Sequence, residues 1–262
     1  MLFPNFKNKQ ANDSFFSPAE FIEYKKKRVE YDRLNHLEGI ILCYSRHLIE
    51  YISEQHEVTA VKSFSGEMHL LNETDNRVGI IGNFGFGAPI VVTVLEELIA
   101  FGVKRFISIG LAGTLQKNLK AGDVVVCEKA IRDEGTSYHY LEPSKYAYPS
   151  KEITDGIKRA LDRQGQKYST GTSWTIDAPF RETVAEVRQY QEEGVATVEM
   201  EASALFAVAQ YRDARMGAML TISDSLAGLE WAPEFHFKET MNGLEILCRA
   251  ALEALSEQHF SF

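Results

Sequence analysis

Hydrophobic positions along the chain fall into short runs separated by polar, glycine-bearing segments. Four runs are apolar at almost every position: GIILCYS at 39–45, RVGIIGN at 77–83, RFISIG at 105–110 and GDVVVCEKAI at 122–131. A strand covered on one face alternates apolar with polar residues, so unbroken runs predict strands buried on both faces of a sheet. A different period governs APIVVTVLEELIAFG at 88–102, with Pro89 near its start and Gly102 at its end, where a helix favours them. Strand, helix and strand in succession predict a parallel crossover. Farther on, the pattern predicts helices at about 150–164 and 183–192 and strands at 168–177 and 215–223. A C-terminal helix over 234–257 carries Phe237, Met241, Leu244, Ala251 and Leu255 on one face. Residues 1–35 read as a peripheral segment with a charged helix to about Asp32, and 36–262 as one α/β domain without repeat or linker.

A chain of 262 residues can bury one sizeable core. Its net charge of -9 argues against a nucleic-acid surface. The basic run KKKR at 25–28 is flanked by acidic residues and reads as the solvated face of the N-terminal helix. Cys43, Cys127 and Cys248 are far apart in apolar surroundings, which predicts reduced, buried thiols and no metal site. The opening residues lack the basic start and apolar stretch of a secretion signal, and no apolar run approaches the ~20 residues that cross a bilayer. The expectation is a cytoplasmic protein with no membrane partner, no metal and no cofactor.

Several chemistries lack their parts. There is no GxGxxG, GxxxxGK[ST], HExxH or GxSxG, and the seven histidines are scattered. What remains is a set of strand ends with small or polar residues: IGNFGFGAP, SIGLAGTL, RDEGTSYHY, TIDAPFRE, VEMEAS and TISDS. Ligands of an α/β sheet collect outside the carboxyl ends of its strands, so these segments predict a pocket. VEMEASALF is unusual among them, because Glu199 and Glu201 flank Met200 at the mouth of an almost purely apolar helical run.

From about Gly39 to Ala227 these segments, in order and spacing, resemble the nucleoside phosphorylase family, which includes purine nucleoside phosphorylase, uridine phosphorylase and related nucleosidases. VEMEASALF is the most specific of the matching motifs. The resemblance implies a single α/β domain whose mixed, barrel-like central sheet is flanked by helices, assembled as a homo-oligomer (dimer or hexamer). It implies cleavage of the N-glycosidic bond of a purine or pyrimidine ribonucleoside by phosphate, giving ribose 1-phosphate and free base. On the family pattern Glu201 binds the ribose hydroxyls, with Met200 against the sugar and Glu199 beside them. A carboxylate suits that task because it accepts two hydrogen bonds from a cis-diol and places negative charge near a sugar becoming cationic. Asp224 falls where purine-acting members bond or protonate N7 of the base. Phe180 and Arg181 fall in the base pocket.

The phosphate site departs from the family. The Gly and Arg of its first loop become Tyr44 and Leu48, and the Arg and Thr of a later loop become Ser108 and Leu111. Arg46, the backbone N–H groups around Gly85 and Gly87, and Arg132 are the donors offered instead. With that site altered, two alternatives stand beside phosphorolysis. One is hydrolysis of the same bond, with His47 as a base; the other is a catalytically silent relative that binds a nucleoside.

Overall fold

The structure, a computed structural model, describes residues 4–26, 34, 36–61 and 66–257. In chain order, α1 (Pro18–Lys26) precedes β1 (Gly39–Cys43), α2 (Arg46–Gln55), β2 (Val58–Val61), β3 (Glu67–Leu71) and β4 (Val78–Gly82). Then come α3 (Ala88–Ala100), β5 (Arg105–Thr114), β6 (Val124–Asp133), β7 (Tyr146–Ala147), α4 (Lys151–Arg163) and β8 (Ser169–Ile176). The chain ends with α5 (Val184–Glu192), β9 (Thr197–Glu199), α6 (Ala202–Tyr211), β10 (Arg215–Ser225), β11 (Ala232–Pro233) and α7 (Lys238–Ser256). The N-terminal helix is seen to Lys26; its expected continuation to Asp32 lies outside the described residues. The C-terminal helix starts at Lys238 rather than 234, because Glu234 is still tied to β10 through its N–H to the Ser223 carbonyl, 2.8 Å.

Every residue of β1 and β4 is buried, as their apolar runs require. Alternation then divides them between two cores: Ile40 and Leu42 face α3 and α6, while Ile41 and Cys43 face α2, α4 and α7. The crossover through α3 carries the chain from β4 over β1 to β5, all three parallel. Glu96 on α3 takes Arg212 at the end of α6 in a two-pronged ion pair, 2.8 and 2.9 Å, which fixes one helix against the other. On the opposite face α7 packs so closely that Gly243 has room only for hydrogen: a Cβ there would lie 2.1 Å from Thr221 Oγ1.

The strand order is β11-β10-β6-β8-β9-β5-β1-β4-β3-β2, and β10 also pairs with β5. That extra pairing closes β5, β10, β6, β8 and β9 into a five-stranded barrel of mixed direction, with β1, β4, β3 and β2 as an open extension. The fold is therefore the barrel-like α/β domain expected. Strand β5 is where barrel and extension meet: residues 105–109 pair with β1, and residues 113–114 pair with β9. A strand that exchanges one neighbour for another opens a crevice between them. Among the described residues no helix is long and apolar enough to cross a membrane.

Candidate functional site

Strand β5 is paired with β1, β9 and β10, so the segments that follow those strands are its neighbours. Glu201 sits at the N-cap of α6, and its side chain turns back under the 83–87 loop, where Oε1 accepts the Gly87 N–H at 2.5 Å. Gly87 has φ of 101°, a left-handed backbone that suits glycine and aims the N–H at the carboxylate. Among the described residues Oε2 receives only the Met200 N–H, at a long 3.3 Å, and keeps capacity for further donors. Burial, and then the neighbouring Glu199 charge, push the Glu201 carboxyl up to about 8. Met200 is half-buried beside it.

Glu199 does a different job. Its Oε1 accepts the hydroxyls of Ser173 and Thr175 on β8, at 3.1 and 2.6 Å, and its Oε2 accepts the N–H groups of Glu201 and Ala202, at 2.8 and 2.7 Å. These bonds use its acceptor sites on the protein itself, and the last two satisfy orphan donors at the start of α6. Burial raises its pKa against the pull of these donors. Ser203, one turn on, bonds Glu134 Oε1 at 3.0 Å, which ties α6 to the loop after β6. The apolar helix thus begins in a buried polar network that fixes where Glu201 points.

Asp224 lies on the other side of β5. Across the barrel wall Val198, Gly113 and Asp224 form one row, β9 to β5 to β10, so two interstrand steps of ~4.8 Å separate the acidic segment from Asp224. Gly113 lets three side chains close over the strand: a Cβ there would lie 2.9 Å from Leu226 Cδ1 and 3.1 Å from both Asp224 Oδ2 and Val198 Cγ1. Asp224 is buried; Oδ1 accepts the Ser223 hydroxyl at 2.7 Å and Oδ2 the Trp231 indole N–H at 3.0 Å. Glu182 is half-buried nearby, and burial followed by the Asp224 charge lifts its carboxyl to about 7.

The remaining candidates are scattered. Tyr44 and Ser108, which stand where the family pattern has phosphate donors, bond each other at 2.9 Å. The Tyr44 ring lies against Gly110 and edge-on to Phe84, and burial, then Glu201, raises its pKa well above the ordinary phenol value. Arg46 opens α2 with its side chain 80% exposed and paired to Glu50 at 2.9 Å. Arg132 is enclosed: it donates to the Ser137 and Ser144 hydroxyls and to the Glu142 and Leu141 carbonyls, at 2.7 to 3.2 Å, and so braces the 134–144 loop. Gly85 is exposed in the loop that reaches Glu201, and Phe180 and Arg181 are exposed on a short helical turn, Phe180 completely so. His47 turns toward Glu245 on α7, 3.4 Å away. Among the described residues no cluster of three or more metal-ligating side chains occurs. Sequence reasoning missed Glu182 and Trp231. Glu182 stood within the quoted TIDAPFRE, whereas nothing in the residues around Trp231 marked it.

A mixed barrel continuous with an open sheet, and carboxylates on both sides of the strand they share, define a phosphorylase-like α/β protein. The chain belongs to the Phosphorylase superfamily, whose sequence profile matches residues 40–257. It is similar to guanosine phosphorylase of Halorubrum lacusprofundi, 30% identical over 142 residues, a stretch covering 54% of this chain and 59% of that one. A DeoD-type purine nucleoside phosphorylase of Bacillus cytotoxicus is 27% identical over 211 residues, 78% of this chain and 89% of the other. AMP nucleosidase of Bacteroides thetaiotaomicron superposes with a TM-score of 0.73 at 26% identity, covering 92% of this chain and 97% of its own. Purine nucleoside phosphorylase of Toxoplasma gondii shares the fold, with a TM-score of 0.77 at 19% identity and coverage of 86% and 92%. Enzymes that use phosphate and enzymes named as nucleosidases thus share this architecture.

Proposed function

We propose that the protein cleaves the N-glycosidic bond of a purine ribonucleoside with phosphate, giving ribose 1-phosphate and the free base. The observation that carries this reading is a pair of buried carboxylates, Glu201 at the N-cap of α6 just beyond β9 and Asp224 on β10, both strands being neighbours of β5. Glu201, with Oε2 largely unengaged, accepts the ribose hydroxyls and stabilises the sugar as C1′ becomes cationic. Asp224 assists departure of the base, a task for a general acid. Met200 lies against the sugar, and Phe180 and Arg181 border the base. Glu182, an acceptor beside Asp224, suits a base with a ring N–H and supports guanosine or inosine over adenosine. Phosphate as acceptor is supported by the relatives of that activity, and the N-terminus of α3 is an end that attracts anions, with the Gly87 N–H already given to Glu201. Homo-oligomeric assembly in the cytoplasm belongs to the same reading, and the exposed Phe86 and Phe180 are apolar side chains that a subunit contact would cover.

A second reading, hydrolysis, is favoured by one observation. Tyr44 and Ser108 satisfy each other where a phosphate would need cationic donors, and Arg46 and Arg132 are engaged elsewhere. Guanosine, inosine, adenosine and uridine incubated with and without phosphate, and scored for free base and ribose 1-phosphate, test both. Phosphate-dependent release upholds phosphorolysis, and release indifferent to phosphate transfers the assignment to hydrolysis. No release from any nucleoside leaves a binding relative.

A further inference from the structure

Asp224 meets neutral donors, a serine hydroxyl on one oxygen and an indole N–H on the other. Trp231 is 65% exposed, yet its polar edge turns inward to reach a buried carboxylate. The segment carrying it is fastened at both ends: Leu226 donates its N–H to the Thr114 carbonyl at 2.9 Å, and Glu234 donates to Ser223 at 2.8 Å. Between them, residues 228–233 are exposed, and β11 adds two rungs to the end of β10, Asp224 opposite Pro233 and Ser225 opposite Ala232. The loop is a flap with the indole as its catch.

We propose that Trp231 is a positioning residue for Asp224: the indole N–H and a ring nitrogen of the base compete for Oδ2, and the flap must release that oxygen before the base is protonated. The inference rests on the proposed function of Asp224. An indole donates a hydrogen bond and cannot accept one, so it holds Oδ2 as an acceptor. The other acids of these elements are Glu182, ahead of α5, and Glu230 and Glu234 on the flap, and the Asp224 charge helps to raise the Glu182 carboxyl. In the reaction Oδ2 takes a proton from solvent as the indole leaves. That proton passes to the ring nitrogen as the C1′–N bond breaks, its electron pair goes to the base, and the carboxylate recovers its bond to Trp231. The proton that hydrogen phosphate gives up as its oxygen bonds C1′ returns to solvent, so none is gained or lost.

Two readouts test this. The first is the pH profile of kcat/KM for inosine in the wild type, Trp231→Phe, Asp224→Asn and the double variant. Trp231→Phe should move the basic limb upward by about one to two pH units. It should add nothing in the Asp224→Asn background. A superimposable profile in Trp231→Phe, or a lower melting point with an unmoved profile, overturns the inference and leaves Trp231 a structural tie. The second readout needs no turnover. The protein has 2 tryptophans, and Trp174 is fully buried, so the exposed emission belongs to Trp231. An acid titration of that emission should show one step in the wild type that is absent from Asp224→Asn; a wild type without the step overturns the inference. If the wild type releases no base from any nucleoside while the step is present, the proposed function falls and the Trp231–Asp224 coupling stands.

Discussion

Glu201→Gln should stabilise the protein while disabling it. Burial and the adjacent Glu199 lift the Glu201 carboxyl from 4.5 to about 8, so between those values the folded chain holds a proton that the unfolded chain has released. Stability from this group is therefore complete below pH 4.5 and is lost as pH rises through 8. Each pH unit in that window is worth about 1.4 kcal/mol, so the whole window amounts to about 3–5 kcal/mol. A glutamine carries no charge into the crevice, keeps an oxygen for the Gly87 N–H, and relieves Glu199 of a like-charged neighbour. Urea unfolding from pH 5 to 9 should show the variant gaining on the wild type by about that amount toward the alkaline end. Base release above pH 8, where the Glu201 carboxyl is ionised, should fall about 100-fold or more, since an amide lacks the charge that a cationic sugar requires. Parallel stability curves, or a wild type that gains on the variant as pH rises, would refute the reasoning about burial.

Tyr44→Phe removes the hydroxyl that bonds Ser108 and should cost about 1 kcal/mol in urea unfolding, the usual worth of a neutral hydrogen bond. Gly243→Ala forces a Cβ against Thr221 Oγ1 and close to the Gly122 carbonyl. It should cost about 1–3 kcal/mol or more by lowering the melting temperature, with α7 displaced from the barrel.

Much of the fold was legible because double-faced burial leaves an unmistakable trace: β1, β4, β5 and β6 are the four unbroken apolar runs, and α3 lies where Pro89 and Gly102 bracket it. The passage from α2 through β3 was not. Leu48, Ile49 and Ile52 make only a brief helical stripe, and β2 and β3 are short strands at the sheet's edge with polar residues among the apolar ones. Barrel closure came from resemblance alone, since β9 pairs with β5 at two rungs that no local pattern announces. In the crevice, two carboxylates before an apolar helix were conspicuous, but their division of labour depends on hydroxyls from β8 that consume Glu199. Arginines were the least readable. A guanidinium takes whatever partners the fold brings near, and for Arg46 and Arg132 these are Glu50 and the 134–144 loop.

Strand β9 is three residues long, and its last member, Glu199, also caps the helix from which Glu201 reaches back. The latch of the barrel and the residue proposed to grip the sugar are therefore one short piece of chain. Momentary fraying there would undo the proposed grip on the sugar while nearly all of the core stayed intact. Native-state amide exchange at residues 197–202 would then report the fraction of molecules out of service, a cheaper fluctuation than global unfolding.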